Sequence, residues 1–209
     1  KDHPTARLLD LVPGRSGTMH ENWLAERGED FRAGVRIGGW TPSRDIRTPS
    51  LGLLQDATSV LDAFHIVKLA GDAPGEARRR VQQDTTGHRG RKGDPLYQNR
   101  LLLRASRDRL TKRQQDRLHA AFTVDEAHIS VEEAYHCAQQ VREVFHQATP
   151  AQGRRLATHL IERLPTCPIP KIARLGRTLR TWKNGLDAYF DTDGANNAPH
   201  RSHQRTSSN

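Results

Sequence analysis

Cysteine is scarce in this chain of 209 residues, which contains Cys137 and Cys167 and no others. The two are far apart in the sequence, and no Cys-x-x-Cys pair occurs. This spacing excludes a cysteine-rich zinc site and a disulfide framework of the kind that holds small secreted domains together. It indicates reduced thiols in the cytoplasm.

Long hydrophobic runs are also missing. Only 34% of the residues are hydrophobic, and the mean hydropathy is −0.79. No run approaches the roughly 20 apolar residues that a membrane helix requires. The polar start, Lys1–Arg7, is unlike a secretory signal peptide. We therefore expect a cytoplasmic protein with no membrane partner. Because the sequence does not begin with Met, we also expect the true start of the protein to lie upstream.

Positive charge is abundant and confined to one segment. The formal net charge is +9. The segment Arg78–Arg117 holds thirteen basic and four acidic residues, so it carries the whole excess. A localised basic segment is typical of proteins that bind a polyanion, usually nucleic acid. The alternative is a solvated basic helix face with no partner.

Apolar runs and helix signals alternate in the first part of the chain. The predicted strands are Ala6–Val12, Phe31–Ile37 and Thr58–Leu61. Asp62 is placed to cap a helix that follows, through Leu69 or beyond. From Glu76 onward the pattern predicts helices only, the last over Ile172–Phe190. This order predicts an α/β fold that is helix-dominated overall.

Two later helices have clear sequence signals. Thr111 is a suitable N-cap for a helix that reaches Phe122. The segment Ser130–Gln147 carries an apolar stripe with a period of 3.6 residues, at Val131, Ala134, Cys137, Ala138, Val141, Val144 and Phe145. A glycine-rich basic loop, Thr85–Asp94, precedes both helices. The sequence thus predicts a helical region with one charged loop.

Five runs of the sequence, taken in order, resemble the ISL-three family of bacterial insertion-sequence transposases, mobile-element proteins of the DDE type. They are ARLLDLVPGRSG (Ala6–Gly17), WLAERGEDFRAGV (Trp23–Val35), VLDAFHIVKLAGDA (Val60–Ala73), VQQDTTGHRGRKGDPLY (Val81–Tyr97) and CPIPKIARLGRTLRTWKNGLDAYFDTDGANN (Cys167–Asn197). Together they span most of the chain.

The resemblance implies a fold and a chemistry. It implies an RNase H-like catalytic core interrupted by an all-α insertion. Residues 1–75 would then be a partial core, residues 76–190 the helical insertion with the basic segment 78–117, and residues 191–209 a disordered tail. It also implies DNA transposition by phosphoryl transfer, in which three carboxylates hold two Mg²⁺ or Mn²⁺ ions.

The sequence departs from the family pattern at the catalytic acids. The first Asp of the family is expected upstream of Lys1. Thr41 stands where the second Asp is expected, and Arg201 stands where the Glu is expected. Because the two metal ions need three converging acids, we expect a truncated copy that is catalytically inactive and binds no metal. The alternative is ordinary divergence of loops in a functional protein.

A pair of frameshifts would explain both departures within the chain. Codons that encode Trp40–Ser50, read one base earlier, can spell Leu-Asp-Pro-Phe, which matches the family. Codons for Pro199–Thr206, read one base later, can spell Pro-Thr-Glu-Ala-Ile-Asn-Gly. We infer that one compensated frameshift altered the first segment and that a second altered the C-terminus.

The remaining motif with chemical character is Asp62-Ala-Phe-His65, where a strand meets a helix. In the family this Asp-x-x-His signature lies beside the catalytic centre. Asp62 is therefore a candidate metal-binding acid, and Asp62 and His65 are the candidate catalytic remnant. Equally, Asp62 could cap the helix while His65 packs.

Seven residues in the basic segment are candidates for DNA contact: Arg78, Arg79, Arg80, His88, Arg89, Arg91 and Lys92. Glycines in the loop let its backbone approach phosphates, and the cations neutralise them. No aromatic residue is interleaved with the loop cations, so the pattern favours contact with the DNA backbone rather than base stacking. The alternative is a mobile surface loop.

Two non-enzymatic functions remain open beside an inactive transposase fragment. One is DNA binding through the segment Arg78–Arg117. The other is a helical interaction protein that pairs with an intact transposase copy and blocks it.

The frameshift hypothesis makes a direct prediction about the coding DNA. We expect the shifted frames to encode Asp-Pro-Phe near Trp40 and Thr-Glu near His200. Sequencing the reading frame with about a kilobase of flanking DNA checks this, and we expect a helix-turn-helix coding region upstream. Codons that encode these residues in no frame would contradict the hypothesis.

Overall fold

The structure, a computed structural model, describes residues 9–11, 13, 17–40 and 52–194. The described residues form two compact units, divided in the sequence between Asp62 and Ala63. Helices dominate, and the described residues contain one small parallel sheet. No helix among the described residues is long and apolar enough to cross a membrane. The helix-dominated, partly α/β character predicted from the sequence is therefore confirmed.

Two helices and two strands have their bounds within the described residues of the first unit. The helices are α1 (Gly17–Glu26) and α2 (Gly28–Ala33), and the strands are β1 (Ile37–Trp40) and β2 (Thr58–Leu61). The strands are parallel, with Ile37 opposite Thr58 and Trp40 opposite Leu61. The predicted strand Thr58–Leu61 is confirmed, and its last two residues, Val60 and Leu61, are fully buried.

Asp10 ties the start of the described chain to α1. Its carboxylate accepts a hydrogen bond from the indole N–H of Trp23 at 3.0 Å and forms an ion pair with Arg27. The Arg27 guanidinium also lies over the Trp23 ring, 4.6 Å from its centroid. The Trp23 hydrogen bond, followed by one from the Leu11 N–H, holds the pKa of Asp10 below its usual value.

Two predicted strands in this unit are wrong where the structure describes them. Phe31–Ala33 belongs to α2, because Glu29 and Asp30 place negative charge in the first turn of a helix, where the helix dipole favours it. The strand begins later, at Ile37. Of the predicted strand Ala6–Val12, Leu9–Leu11 are not in a strand, and the other residues lie outside the described ranges.

All regular elements of the second unit are helices. Its helices are α3 (Ala63–Thr86), α4 (Pro95–Gln98), α5 (Lys112–Phe122), α6 (Ile129–Val144), α7 (Pro150–Arg163), α8 (Pro170–Thr181) and α9 (Lys183–Asp191). Short 3₁₀ turns lie at Leu102–Arg104, Arg107–Arg109, Glu126–His128 and Leu164–Thr166. The sequence predicted no strand after Glu76, and the structure has none between Glu76 and Gly194.

Helix α3 packs most extensively against α6. Its buried face consists largely of small residues, among them Ala70, Gly71, Ala73 and Ala77. A Cβ atom on Gly71 would lie only 3.0 Å from the Arg142 guanidinium, so the two helices approach closely there. Pro74 lies inside α3 and is fully buried. A proline inside a helix removes one backbone hydrogen bond and destabilises the helix locally. Because α3 nevertheless stays continuous, its packing must outweigh this loss of stability.

The N-cap predicted at Thr111 for α5 and the apolar stripe predicted for α6 are both found in the structure. Thr111 and Gln114 form a capping box, in which the Thr111 hydroxyl accepts from the Gln114 N–H and the Gln114 side chain accepts from the Thr111 N–H. The predicted stripe is buried along α6, with Val131, Ala134 and Ala138 fully so, whereas Phe145 follows the helix and is half-buried. These features depend on neighbours in the sequence, which explains why the sequence alone predicts them.

Two predicted boundaries differ from the structure. The single helix predicted over Ile172–Phe190 is two helices, because Trp182 ends α8 and immediately precedes α9. Trp182 is half-buried. The predicted domain boundary between residues 75 and 76 falls inside α3. Asp191, the first residue of the predicted tail, closes α9, and residues 195–209 lie outside the described ranges.

The packing of α8 predicts opposite effects for two glycine substitutions. A Cβ on Gly176 would lie 2.4 Å from the Pro165 backbone nitrogen, whereas one on Gly75 in α3 would meet nothing closer than 3.8 Å. We expect Gly176→Ala to lower the free energy of unfolding by roughly 1–3 kcal/mol. We expect the control Gly75→Ala to raise it by about 0.5–1 kcal/mol. Urea unfolding measures both, and equal effects would contradict the packing described.

Candidate nucleic-acid interface

The basic loop, residues 87–93, connects α3 to α4 and contains three glycines with positive φ. It begins after Thr86, so the predicted loop Thr85–Asp94 is slightly too long at its start. Gly90 has φ +100, and a Cβ there would lie 2.5 Å from the Gln82 side-chain oxygen and 2.7 Å from the Arg78 guanidinium. Only glycine fits this position.

The buried side chain of Arg78 supports the loop backbone. Only 6% of the residue is exposed. The guanidinium donates to the Arg89 carbonyl oxygen at 2.9 Å and to the Gln82 side-chain oxygen. Burial, followed by the charge of Arg79, lowers the pKa of Arg78. Arginine stays protonated nevertheless, so a positive charge lies under the loop backbone.

Asp94 closes the other end of the loop. Its carboxylate accepts the Arg91 N–H at 2.7 Å and the Gln82 amide at 3.1 Å. Gln82 is buried and therefore links Arg78 to Asp94. Asp94 directly precedes Pro95, the first residue of α4. Both ends of the loop are thus fixed to the same turn of α3.

His88 and Tyr97 also contribute contacts that hold the loop in place. The His88 Nδ1 atom accepts the Gly90 N–H at 3.1 Å, so this ring nitrogen faces the loop backbone. The Tyr97 ring lies between two guanidinium groups, 5.5 Å from that of Arg78 and 4.4 Å from that of Arg100. Cations over an aromatic face are attracted by its quadrupole, which stabilises this concentration of positive charge.

Five of the seven predicted DNA-contact residues are exposed: Arg79, Arg80, Arg89, Arg91 and Lys92. Arg80 lies 3.5 Å from Asp84 in an ion pair one helical turn away. The other two predicted residues, Arg78 and His88, are directed into the loop framework. The structure therefore separates the predicted set into a supporting pair and an exposed group of cations.

The predicted catalytic remnant is divided between the two units. Asp62 follows β2 and is buried, with 6% exposed, whereas His65 is half-buried in the first turn of α3. Among the described residues, no group of three His, Cys, Asp or Glu side chains is arranged to hold a metal ion. Thr41 and Arg201 lie outside the described residues.

Sequence reasoning missed the residues that hold the loop. Gln82, Asp94 and Tyr97 carry the framework, yet none was identified as functional. The i, i+4 spacing of Arg78 and Gln82 and the Asp94-Pro95 helix start are the signals that were available.

The geometry is that of a loop able to bind a polyanion, carried on a helical framework. A family model of the ISL-three type, described as a transposase, matches residues 1–203. The chain therefore belongs to the ISL-three family of transposases, and the resemblance noted in its sequence is confirmed. Transposases act on DNA, and those of the DDE type generally use divalent metal ions. No curated protein and no solved structure matches the chain significantly.

The loop framework predicts a local effect for one substitution. Asp94→Ala removes the acceptor for the Arg91 N–H and the Gln82 amide, so we expect the loop to loosen. Trypsin should then cleave after Arg89, Arg91 and Lys92 several-fold faster than in the unchanged protein. Asp84→Ala, which removes only an exposed ion-pair partner, is the control and should leave cleavage unchanged. Equal cleavage rates in the two variants would contradict the role given to Asp94.

Proposed function

We propose that this chain is a catalytically inactive transposase relative that binds the DNA backbone through its basic loop. The observation that carries the proposal is the buried, positively charged Arg78 side chain, which holds the loop backbone in place. The exposed cations of the loop and of the adjacent α3 turn would contact phosphates. Arg78 and His88 would position the loop without touching DNA.

The electrostatics of the loop support a polyanion partner. Exposed charges are screened beyond about 8–10 Å at moderate salt, whereas buried charges are screened less. The Arg78 charge therefore adds to the potential of Arg89, Arg91 and Lys92 at the loop surface. At Gly87 and Gly93 an added Cβ would meet nothing within 4 Å, so these two positions leave the loop backbone open to an approaching phosphate. Such contacts carry no sequence information.

The loss of catalysis is proposed from the sequence. Thr41 and Arg201 stand where the family pattern has acids, and neither can act as a carboxylate ligand. In this proposal Asp62 and His65 are remnants of a DDE centre with an RNase H-like core, and DNA cleavage and strand transfer are lost. Residues 76–190 are the helical insertion, and the chain acts in the cytoplasm, with DNA.

DNA binding is the stronger of the two non-enzymatic functions considered. A family match to transposases implies DNA as the partner. It gives no support to pairing with an intact transposase copy. The loop framework likewise favours DNA, because its exposed groups are cations rather than apolar side chains.

The proposal predicts how salt affects binding. For a duplex oligonucleotide, the logarithm of the affinity should fall linearly with the logarithm of salt concentration. The triple variant Arg89→Gln, Arg91→Gln, Lys92→Gln should reduce the steepness of that slope by about 2–3, since each phosphate contact contributes roughly 0.9. Fluorescence anisotropy titrations at several salt concentrations measure the slope.

A matched control separates the loop from net charge. Arg155, Arg174 and Arg177 are exposed on α7 and α8, outside the basic segment. Changing all three to Gln removes the same charge and should leave the slope almost unchanged. Equal loss in both triple variants would show that binding is unspecific attraction to a basic protein, and affinity that is indifferent to salt would overturn the proposal.

A further inference from the structure

A second feature of the basic segment lies away from the loop. A cleft of about 240 Å³ is lined by residues of α5, of α6 and of the turn Arg107–Arg109. The buried residues Leu110, Leu118, Phe122 and Tyr135 form its base. Exposed side chains, among them Arg107 and Lys112, form its rim. The cleft therefore combines an apolar base with a charged edge.

Tyr135 is unusual among the residues that line the cleft. Only 3% of it is exposed, and its hydroxyl has no hydrogen-bond partner among the described residues. Buried hydroxyl groups in folded proteins nearly always have a partner, because an unsatisfied one destabilises the fold. Burial raises the pKa of Tyr135, so the hydroxyl keeps its proton at neutral pH and can donate. A bound ligand could supply the missing partner.

The rim carries groups of both signs. Lys112 lies 2.9 Å from Asp116, and Glu132 lies 3.6 Å from His136. Arg107 lines the same cleft as Tyr135. Cations bind phosphate oxygens, while carboxylates accept hydrogen bonds from the amino groups of nucleic-acid bases. The same rim could therefore bind both parts of a nucleotide.

The size of the cleft limits the ligand. Sites for drug-sized molecules usually have volumes of about 300–1,000 Å³. A cleft of about 240 Å³ is smaller, and its apolar base suits a single flat ring system. A base inside a duplex cannot enter such a cleft, because it is stacked and paired, so it would have to leave the helix first.

We propose that this cleft binds one unpaired DNA nucleotide, with the base against Leu118 and Phe122 and the phosphate at Arg107 and Lys112. The Tyr135 hydroxyl hydrogen-bonds to the bound nucleotide. The proposal rests on the proposed DNA-binding function and adds to it a contact that distinguishes unpaired from paired DNA. A nucleotide is favoured over a protein side chain because the rim offers Arg107 and Lys112 to a phosphate, while the apolar base accepts a flat ring.

Two DNA probes test the proposal. One is a fully paired hairpin, and the other is the same hairpin with a single unpaired 2-aminopurine, whose fluorescence changes with stacking. We expect the protein to bind the second hairpin about tenfold more tightly and to change the 2-aminopurine signal at saturation. Equal affinity for both hairpins, with no signal change, would overturn the cleft proposal while leaving backbone binding intact. If neither hairpin binds, the proposed function fails as well.

Two variants connect the effect to the cleft. Arg107→Gln should remove the preference for the unpaired nucleotide, whereas Arg109→Gln, an exposed residue of the same turn that does not line the cleft, should keep it. Tyr135→Phe removes an unsatisfied hydroxyl, so it should raise Tm and yet abolish the 2-aminopurine response. If Tyr135→Phe raises Tm and leaves the response unchanged, or if both arginine variants behave alike, the assignment is overturned.

Discussion

The close approach of α3 and α6 is the constraint on which the helical unit depends. Small side chains on α3 let the two backbones come near, and the Arg142 side chain of α6 lies almost against Gly71. Arg142 also donates to the carbonyl oxygens of Arg104 and Ala105, so the segment before α5 is held by the same contact. The position of α3 in turn places Arg78 and Gln82. A change at this helix pair would therefore reach both the basic loop and the cleft.

The loop framework shows how a buried charge can serve a surface function. A buried guanidinium is costly unless its hydrogen bonds are made. Arg78 makes two, to Gln82 and to the Arg89 carbonyl, although its Nε atom has no partner among the described residues. The packing of α3 must offset the free energy lost by burying this unpaired Nε atom. In return, the loop backbone is held in one conformation, and the exposed cations beside it need less ordering when an anion arrives.

Local signals made much of the fold predictable. The strand Thr58–Leu61, the Thr111 cap and the α6 stripe each depend on residues that are close in the sequence. The helix predicted through Leu69 or beyond continues to Thr86, because tertiary packing keeps α3 continuous through Pro74. The predicted strand at Phe31 failed because a short helix with acidic residues in its first turn competes successfully there.

The candidate site was predictable only as a charged segment. The sequence identified the cations as a group, but the burial of Arg78 could not be foreseen, since arginine is rarely buried in folded proteins. The contact between Gln82 and Asp94 joins residues twelve positions apart across a loop, and no periodic pattern marks such a pair. The cleft is formed by a turn and two helices, so it exists only after folding.

Gly90 has a consequence for how this loop can change over generations. Its neighbours occupy the space that any side chain would need, so mutations at this position should be eliminated wherever the loop matters. Arg89, Arg91 and Lys92 are exposed, and their side chains contribute none of the hydrogen bonds described here for the loop framework. Substitutions at these three positions can therefore raise or lower the charge in small steps without refolding the loop. These seven residues thus combine a backbone held in one conformation with exposed side chains that can be exchanged.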